Sequence, residues 1–475
     1  MEKDTSKFRI ESDSIGEKEV PIDAYYGVQS LRGHENFNIT GRPVHPQLII
    51  SITQIKKAAA ITNFEAGQLD KSKADAIVKA CDEILSGELH DQFIVDAIQG
   101  GAGTSLNMNA NEVIANRAIE ILGGKKGDYN IVHPNDHVNC GQSTNDVIPT
   151  CGRMAILRLL CDAQKELSRL AEALDNKSKE FDDVIKMGRT QLQDAVPIRL
   201  GQEFNAYSIA IKRDVTRFES AKDEMKCVNL GGTAVGTGLN AEINYFNRVV
   251  KNIDLISGLD LVQSYDLIDA TQNLDGYAYV SGIVKTCAVS LSKISNDLRL
   301  MSSGPRTGLG EINLPAKQNG SSIMPGKVNP VIPEVVNQVA FNIIGNDMAI
   351  TMATEAGQLE LNAFEPVIFY KLLESIGTLT GAVRTLIDNC IVGITPNREH
   401  CKEMVDNSVG IITAICPYVG YNKAAKIAKE ALRTNSSVRS LIIRDGLLTE
   451  DQLDIILNPY TMTKPGILGE DKLKA

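Results

Sequence analysis

Residues 154–187 contain neither glycine nor proline, and this uninterrupted stretch constrains the fold more than any other feature of the chain. Its apolar residues recur at steps of three and four, the spacing of one face of an α-helix. Similar long patterns occupy about 198–226, 262–303, 330–357 and 366–391. Five helices of this length favour a helix bundle over a parallel sheet.

The chain has 475 residues, which is too many for one compact core. We therefore predict a mainly α fold of three domains. They are an N-terminal mixed, mostly helical domain (1–141), a central long-helix bundle domain (142–397) and a small C-terminal helical domain (398–475). Within the first domain, the pattern predicts shorter helices near residues 46–67, 71–86 and 106–123.

Composition excludes several classes of protein. The formal net charge is −10 and the isoelectric point is about 5.3, which argues against a nucleic-acid-binding surface. The charged N-terminus predicts no signal peptide, and no apolar run has the length of a membrane span. Nine cysteines without paired spacing are typical of reduced thiols. We therefore expect a cytoplasmic protein.

A glycine-rich segment with the sequence GSSIMPGKVNP lies at residues 320–330, between two of the predicted long helices. It combines two serine hydroxyls, a lysine and an asparagine with flexible glycines. Such a set can bind a carboxylate and present backbone N–H groups to a developing oxyanion. A glycine-serine pair alone is more typical of a linker, but the whole combination favours a functional loop.

Two other motifs invite interpretations that the residues do not support. His133, His137 and Cys140 suggest a metal site, but Pro134 disfavours a regular helix through both histidines, so no metal site is predicted. The glycines within 231–238 suggest a nucleotide-binding loop. That segment lacks a preceding strand and a Walker lysine, so this interpretation is rejected.

The segment 320–330 matches the signature G-S-x-x-M-P-x-K-x-N of the aspartase/fumarase superfamily, and the chain resembles that family from Tyr25 to Gly466. Five further blocks match in order: GTSLNMN at 103–109, HPNDHVN at 133–139, QSTND at 142–146, GRTQLQDA at 188–195 and GGTAVGTG at 231–238.

The resemblance implies a three-domain, mainly helical homotetramer with a twenty-helix core and active sites that three chains share. The predicted length of one helix independently indicates that chains share their active sites. If 150–182 is one helix, it is about 50 Å long. Asn145 and Thr190 then lie near its opposite ends, and one site can contain both only if a second chain supplies one of them.

The resemblance also implies a role for each residue. Ser321 is the catalytic base that removes a proton beside a carboxylate, which leaves an aci-carboxylate intermediate. Donors to that carboxylate are Thr104, Ser143, Thr144 and Ser322. The second carboxylate is held by Thr190, Lys327 and Asn329, and the amino group by Asn145 and Gln191. His133, Asn135 and Asp136 form either a secondary anion site or only a turn.

Two blocks favour loss of ammonia from L-aspartate over loss of water from L-malate. Residues 143–146 read Ser-Thr-Asn-Asp and residues 188–191 read Gly-Arg-Thr-Gln, whereas fumarases usually carry Ser-Ser-Asn-Asp and a histidine in place of Gln191. Hydroxide needs an acid in order to leave, whereas ammonium carries its own protons. Glutamine accepts a hydrogen bond but transfers no proton. Gln191 could also simply order a turn.

Three functions therefore remain: an ammonia-lyase, a fumarate hydratase, and a non-catalytic scaffolding relative. Intact Ser321, Lys327 and Asn329 argue against the last of these. We expect no required cofactor, and activation by Mg²⁺ stays open. The expected partners are the small molecules L-aspartate, fumarate and ammonia and further copies of this chain, with no nucleic acid and no membrane.

Overall fold

The computed structural model describes residues 7–470. Predictions for residues 1–6 and 471–475, including the interpretation of the charged N-terminus, lie outside them. The described chain is mainly helical, as predicted. Its helices are α1 (Val28–Asn36), α2 (Pro46–Glu65), α3 (Lys71–Leu85), α4 (Thr104–Ile121), α5 (Thr144–Glu180), α6 (Leu200–Met225), α7 (Ile243–Ser257), α8 (Leu267–Gln272), α9 (Asp275–Met301), α10 (Val331–Glu355), α11 (Glu365–Asn389), α12 (Arg398–Asn407), α13 (Ile412–Val419), α14 (Tyr421–Thr434), α15 (Val438–Arg444) and α16 (Glu450–Ile456).

Short strands within residues 7–470 pair into two-stranded sheets. Three pairs are antiparallel and the pair of β5 with β6 is parallel. The strands are β1 (Phe8–Asp13), β2 (Gly16–Pro21), β3 (Ile185–Thr190), β4 (Gln193–Arg199), β5 (Cys227–Val228), β6 (Val262–Gln263), β7 (Ile312–Asn313) and β8 (Thr395–Pro396).

The long helix predicted from the uninterrupted stretch is confirmed. Helix α5 has 37 residues, which corresponds to about 55 Å. Helices α6, α10 and α11 also lie where their patterns predicted them. The single helix predicted over 262–303 is wrong, because Asn273 has an extended backbone (φ −104°, ψ 132°) that separates α8 from α9. The Asp266 side chain caps α8 by accepting from the N–H groups of Ile268 and Asp269.

The described chain divides into two compact units. The first contains residues up to 165, 216–288 and 341–380, and the second contains 166–215, 289–340 and residues from 381 onward. The three-domain boundaries at 141 and 397 stay a prediction. Among residues 7–470, no helix has both the length and the apolar character needed to cross a membrane.

In the first unit, helix α2 packs against α3, α4 and α7. The Glu112 side chain of α4 is buried and points at the beginning of α1. Its carboxylate accepts hydrogen bonds from the backbone N–H groups of Gly27 (2.8 Å), Gln29 (2.9 Å) and Ser30 (3.0 Å). One buried carboxylate therefore accepts from three N–H groups at this helix N-terminus, and Glu11 accepts from the N–H of Val28. A negative charge is also favoured there by the helix dipole.

In the second unit, strands β3 and β4 form a hairpin that packs on the C-terminal helices. Met187 of β3 belongs to a buried apolar cluster with residues from α12 to α16. The Ser408 hydroxyl donates to Asp194 Oδ2 over 2.7 Å. A side chain at Gly410 would meet the Ala195 carbonyl oxygen at 2.2 Å, so the C-terminal segment approaches the hairpin backbone closely.

We predict that Glu112→Ala destabilises the protein by about 3 kcal/mol or more, because three buried N–H groups would lose their acceptor. Glu35→Ala serves as the control, since Glu35 makes an exposed ion pair with Lys18 and should cost less than about 1 kcal/mol. Urea unfolding followed by circular dichroism measures both changes. Equal midpoints for the two variants would contradict the role given to Glu112.

Candidate active site

The first turn of α5 presents Ser143, Thr144 and Asn145, and the Asp146 carboxylate holds this turn in place. Asp146 is buried, and its Oδ1 accepts from the Ser143 N–H over 2.9 Å. Its Oδ2 accepts from the N–H groups of Gly231 (2.9 Å) and Thr233 (3.2 Å). Burial raises the pKa of Asp146 to about 6, although these three N–H groups oppose the shift. The glycine-rich segment 231–238 is thus a turn packed against the beginning of α5.

Asn145 has a defined amide orientation. Its Nδ2 donates to the Ala234 carbonyl oxygen over 2.7 Å. The backbone carbonyl oxygen of Asn145 accepts from Asn229 Nδ2 over 3.0 Å. A carbonyl partner requires the NH₂ side of the amide, so the other side, Oδ1, remains as an acceptor. An acceptor at this position suits an ammonium group.

Thr104 begins α4 and lies next to α5. Its hydroxyl donates to the Gly101 carbonyl oxygen over 2.7 Å, and its side chain is exposed. The preceding Gly103 has φ 83°, and a side chain there would meet Ile148 of α5 at 2.8 Å. Glycine therefore allows both the left-handed backbone and the close approach of the two helices.

The β3–β4 hairpin carries Thr190 and Gln191 at its tip. Gln191 (φ 54°) and Leu192 (φ 61°) form its two-residue turn, and both have left-handed backbones. Such a turn is normally built from Asn-Gly or Asp-Gly, because a side chain with positive φ costs conformational energy. Backbone strain of this kind is concentrated at functional sites. The hairpin itself was not predicted from the sequence.

Ion pairs hold the base of this hairpin. The buried Glu311 carboxylate lies 2.5 Å from an Arg189 nitrogen and 3.0 Å from Lys186 Nζ. Lys186 also pairs with Glu203 over 2.9 Å. The same region contains a cavity of about 700 Å³, whose lining includes Thr190, Leu192 and the segment 462–465.

The segment 320–330 forms an irregular loop between α9 and α10, as predicted. It is closed on itself, because Gly320 N–H donates to the Lys327 carbonyl oxygen (2.8 Å) and Asn329 Nδ2 donates to the Gly320 carbonyl oxygen (2.7 Å). A side chain at Gly320 would meet the Lys327 carbonyl oxygen at 2.5 Å, which only glycine avoids. Ser322 and Lys327 are exposed.

The Ser321 hydroxyl accepts hydrogen bonds from two backbone N–H groups of its own loop. Its Oγ accepts from the N–H groups of Ile323 (3.2 Å) and Met324 (3.0 Å). Donors aimed at an oxygen favour its negatively charged form. Two backbone N–H groups are therefore directed at the Ser321 oxygen and can stabilise negative charge on it.

The segment that follows His133 forms a short π-helical turn, Pro134–Val138. His133 Nδ1 accepts from the N–H groups of Asn135 and Asp136, each over 3.2 Å. His137 Nδ1 accepts from His133 N–H over 2.7 Å. These contacts support the turn role, and the anion site stays a prediction. Among residues 7–470, no group of three or more His, Cys, Asp or Glu side chains could hold a metal ion.

The predicted site residues fall into two sets. Thr104, Ser143, Thr144 and Asn145 lie in the first unit, whereas Thr190, Gln191, Ser321, Ser322, Lys327 and Asn329 lie in the second. Sequence reasoning gave no role to Lys56, Asn107 or Glu311. Asn107 was inside a matching block. Lys56 follows Ile52 by four residues on the buried face of α2, a spacing that could have marked it as a buried cation.

Comparison with known proteins identifies the family of the chain. A family model described as lyase matches residues 16–345, and one described as fumarase C C-terminus matches residues 411–464. The chain is 55% identical to an aspartate ammonia-lyase of Bacillus subtilis (strain 168) over 468 residues, 98% of each chain.

Two solved structures are similar over almost the whole chain. A fumarate lyase:delta crystallin from Brucella melitensis, solved bound to cobalt, is 51% identical with a TM-score of 0.94 and covers 96% of this chain and 100% of its own. A class II fumarase from Schistosoma mansoni is 37% identical with a TM-score of 0.92 and covers 96% of this chain and 99% of its own.

These matches span both compact units and every block that forms the candidate site. The chain belongs to the aspartase/fumarase superfamily of lyases and, within it, to the aspartate ammonia-lyase family of carbon–nitrogen lyases.

Proposed function

We propose that this protein catalyses the reversible anti-elimination of ammonia from L-aspartate to give fumarate. The observation that carries the proposal is the 55% identity to an aspartate ammonia-lyase over 98% of both chains. The site supports it, because its exposed polar groups are hydroxyls, amides and one lysine, which suit a dicarboxylate with an amino group.

Ser321 is the proposed base. It takes the proton from the carbon beside the carboxylate that becomes an aci-carboxylate, and the C–N bond then breaks with its electrons on nitrogen. A serine hydroxyl is a weak base unless its alkoxide is stabilised. The N–H groups of Ile323 and Met324, already directed at its Oγ, support this role.

Hydrogen-bond donors to the aci-carboxylate are Thr104, Ser143, Thr144 and Ser322 in this proposal. The Thr104 hydroxyl has one hydrogen, so it exchanges its bond to the Gly101 carbonyl oxygen for one to the substrate. Charge develops on that carboxylate during the reaction, so preorganised donors there lower the barrier. Thr190, Lys327 and Asn329 hold the other carboxylate. No metal is among the proposed ligands.

The amino group lies between Asn145 and Gln191 in this proposal. Asn145 keeps Oδ1 as an acceptor because its Nδ2 donates to the Ala234 carbonyl oxygen. Neither amide transfers protons, and ammonia can leave without an acid.

The second candidate function is hydration of fumarate, favoured by the structural likeness to a class II fumarase. The strained backbone at Gln191 is in keeping with a binding role more than with a simple turn.

The active form is proposed to be a homotetramer whose sites each draw on three chains. The face of α10 exposes Phe341, Ile344, Met348 and Met352, with 63%, 41%, 64% and 62% of their surface accessible. Apolar side chains at this helical spacing are typical of a face that a partner helix covers. The length of α5, which separates Asn145 from Thr190 along the chain, also favours sharing.

We further propose that the enzyme needs no cofactor and acts in the cytoplasm. The nine cysteines are in keeping with a reducing compartment, because within residues 7–470 none of them forms a disulfide and most are buried. The relation of the His133 segment to a secondary anion site belongs to the same proposal.

The first prediction concerns the substrate. With L-aspartate and L-malate tested side by side, absorbance of fumarate should rise with L-aspartate alone. Ser321→Ala should lower kcat about a thousandfold while KM changes less than about threefold, because a base acts only on the reacting proton. Ser322→Ala, in contrast, should raise KM in addition to lowering kcat, since it removes a hydrogen-bond donor to the substrate carboxylate. Unchanged turnover in Ser321→Ala would remove this serine from the mechanism.

The second prediction concerns leaving-group choice. Gln191→His should keep part of the ammonia-lyase activity, because the imidazole can still accept from the ammonium group. Steady-state rates with both substrates measure the change, and Leu192→His, one residue along the same turn, is the control for altered turn geometry. Strong malate turnover in Gln191→His alone would favour the fumarate hydratase alternative.

The third prediction concerns shared sites. Ser321→Ala and Asn145→Ala are each expected to be nearly inactive, but tetramers assembled from an equal mixture of the two chains should recover about a quarter of wild-type activity. Recovery occurs because some sites receive an intact residue from each chain. Denaturation and joint refolding of the two proteins, with each protein refolded alone as control, makes the measurement. Absence of recovery would place both residues of a site in one chain.

A further inference from the structure

Lys56 is a fully buried cation that touches no residue assigned to substrate binding. Its Nζ donates to three side-chain amide oxygens: Asn107 Oδ1 (2.7 Å), Asn139 Oδ1 (2.8 Å) and Gln142 Oε1 (2.9 Å). Three acceptors at these distances match the three N–H donors of an ammonium group. Burial lowers the pKa of Lys56 to about 7, and the Asp146 carboxylate opposes that shift.

The orientation of two of these amides is determined by backbone carbonyls. Gln142 Nε2 donates to the carbonyl oxygens of Val138 (3.0 Å) and Cys140 (3.2 Å), so its Oε1 must face Lys56. Asn139 Nδ2 donates to the Gln142 carbonyl oxygen over 3.1 Å, so its Oδ1 also faces Lys56. Neither side-chain amide can flip by 180° without losing these hydrogen bonds.

The third amide is then determined by the other two groups. Lys56 offers only donors, and Asn139 Oδ1 only accepts, so Asn107 directs Oδ1 at Lys56 and Nδ2 at Asn139 Oδ1 (3.2 Å). The same Asn107 Nδ2 donates to Thr144 Oγ1 over 3.3 Å. Within residues 7–470, this is the hydrogen bond found at the Thr144 hydroxyl, and the hydroxyl accepts it.

A hydroxyl that accepts from Asn107 has its own hydrogen left to donate elsewhere. We propose that Lys56 and Asn107 are positioning residues that impose one hydrogen-bond direction, from the buried ammonium to Thr144, so that the Thr144 hydroxyl donates to a substrate carboxylate. This inference rests on the proposed function, because it takes Thr144 as a carboxylate ligand. It adds a reason why a buried lysine and three amides lie behind the first turn of α5.

Asn107→Asp tests the direction, because the aspartate has nearly the same shape but no N–H to give. The Thr144 hydroxyl would then donate to the new carboxylate and be lost to the substrate. We expect fumarate to bind about tenfold more weakly or worse, and KM for L-aspartate to rise in parallel with a smaller change in kcat. Asn107→Ala removes the contact without reversing it, so its effect should be smaller.

A purely structural role for Asn107 predicts the opposite order, since alanine leaves a cavity and aspartate does not. Asn139→Asp is the matched control. It places a carboxylate against the same lysine and removes one N–H donor, yet it still accepts from Lys56 and Asn107. We expect it to bind fumarate within about threefold of the wild type, because the direction at Thr144 is retained.

Variants of Thr144 complete a double-mutant cycle with Asn107→Asp. Thr144→Val should weaken fumarate binding about tenfold, Thr144→Ser should retain binding, and adding Asn107→Asp to Thr144→Val should cause little further loss. Calorimetric titration with fumarate measures binding, and thermal unfolding verifies that each variant is folded. Independent, additive losses would overturn the proposal. So would wild-type affinity in Thr144→Val, whether or not Asn107→Asp folds.

The same experiments separate this inference from the proposed function. A wild-type protein that binds fumarate but does not turn over L-aspartate would contradict the proposed activity and leave the calorimetric test of the direction in force. A wild-type protein that turns over L-aspartate, with Asn107→Asp equal to it in KM and in fumarate binding, would contradict the inference alone. A wild-type protein that binds no fumarate would overturn both.

Discussion

The buried Asp146 carboxylate is the interaction on which the first half of the site depends. It accepts three backbone N–H groups, one from the turn that begins α5 and two from the glycine-rich turn at 231–233. A buried carboxylate without partners would be costly, and three charge-assisted hydrogen bonds offset that cost. Because both turns hold the same carboxylate, Ser143, Thr144 and Asn145 have a defined position relative to the segment that orients the Asn145 amide.

The second unit relies more on backbone conformation than on buried charge at its functional groups. Gln191 and Leu192 have left-handed backbones at the tip of the β3–β4 hairpin, and Ser321 accepts two N–H groups of its own loop. Ion pairs from Lys186 and Arg189 to Glu311 and the packing of Met187 hold strand β3, whose pairing with β4 shifts register between Met187 and Arg189. Gln191, which the proposed chemistry uses, thus has a strained backbone that the paired strands on either side of the turn sustain.

Two buried charged side chains of the first unit, Glu112 and Lys56, have partners that account for their burial. Glu112 accepts from N–H groups at the N-terminus of α1. Lys56 donates to three amides, and backbone carbonyls hold two of them, Asn139 and Gln142. Removing one member of such a network leaves the others unsatisfied, which costs more than the bond itself is worth. In the proposed network, the Thr144 hydroxyl accepts from Asn107 and keeps its own hydrogen for donation.

The helical pattern and the motif blocks were sufficient to predict the mainly α fold, helix α5, and the loop that carries Ser321. These features are local: the repeat of apolar residues and the absence of glycine and proline act over a few turns of chain. The β3–β4 hairpin was not predictable, because its turn, Gln191-Leu192, lacks the residues that such turns normally contain. The partners of Lys56, Asp146 and Glu311 include residues far apart in the chain. Burial and hydrogen bonding among such residues exist only once the helices pack, so tertiary structure alone determined them.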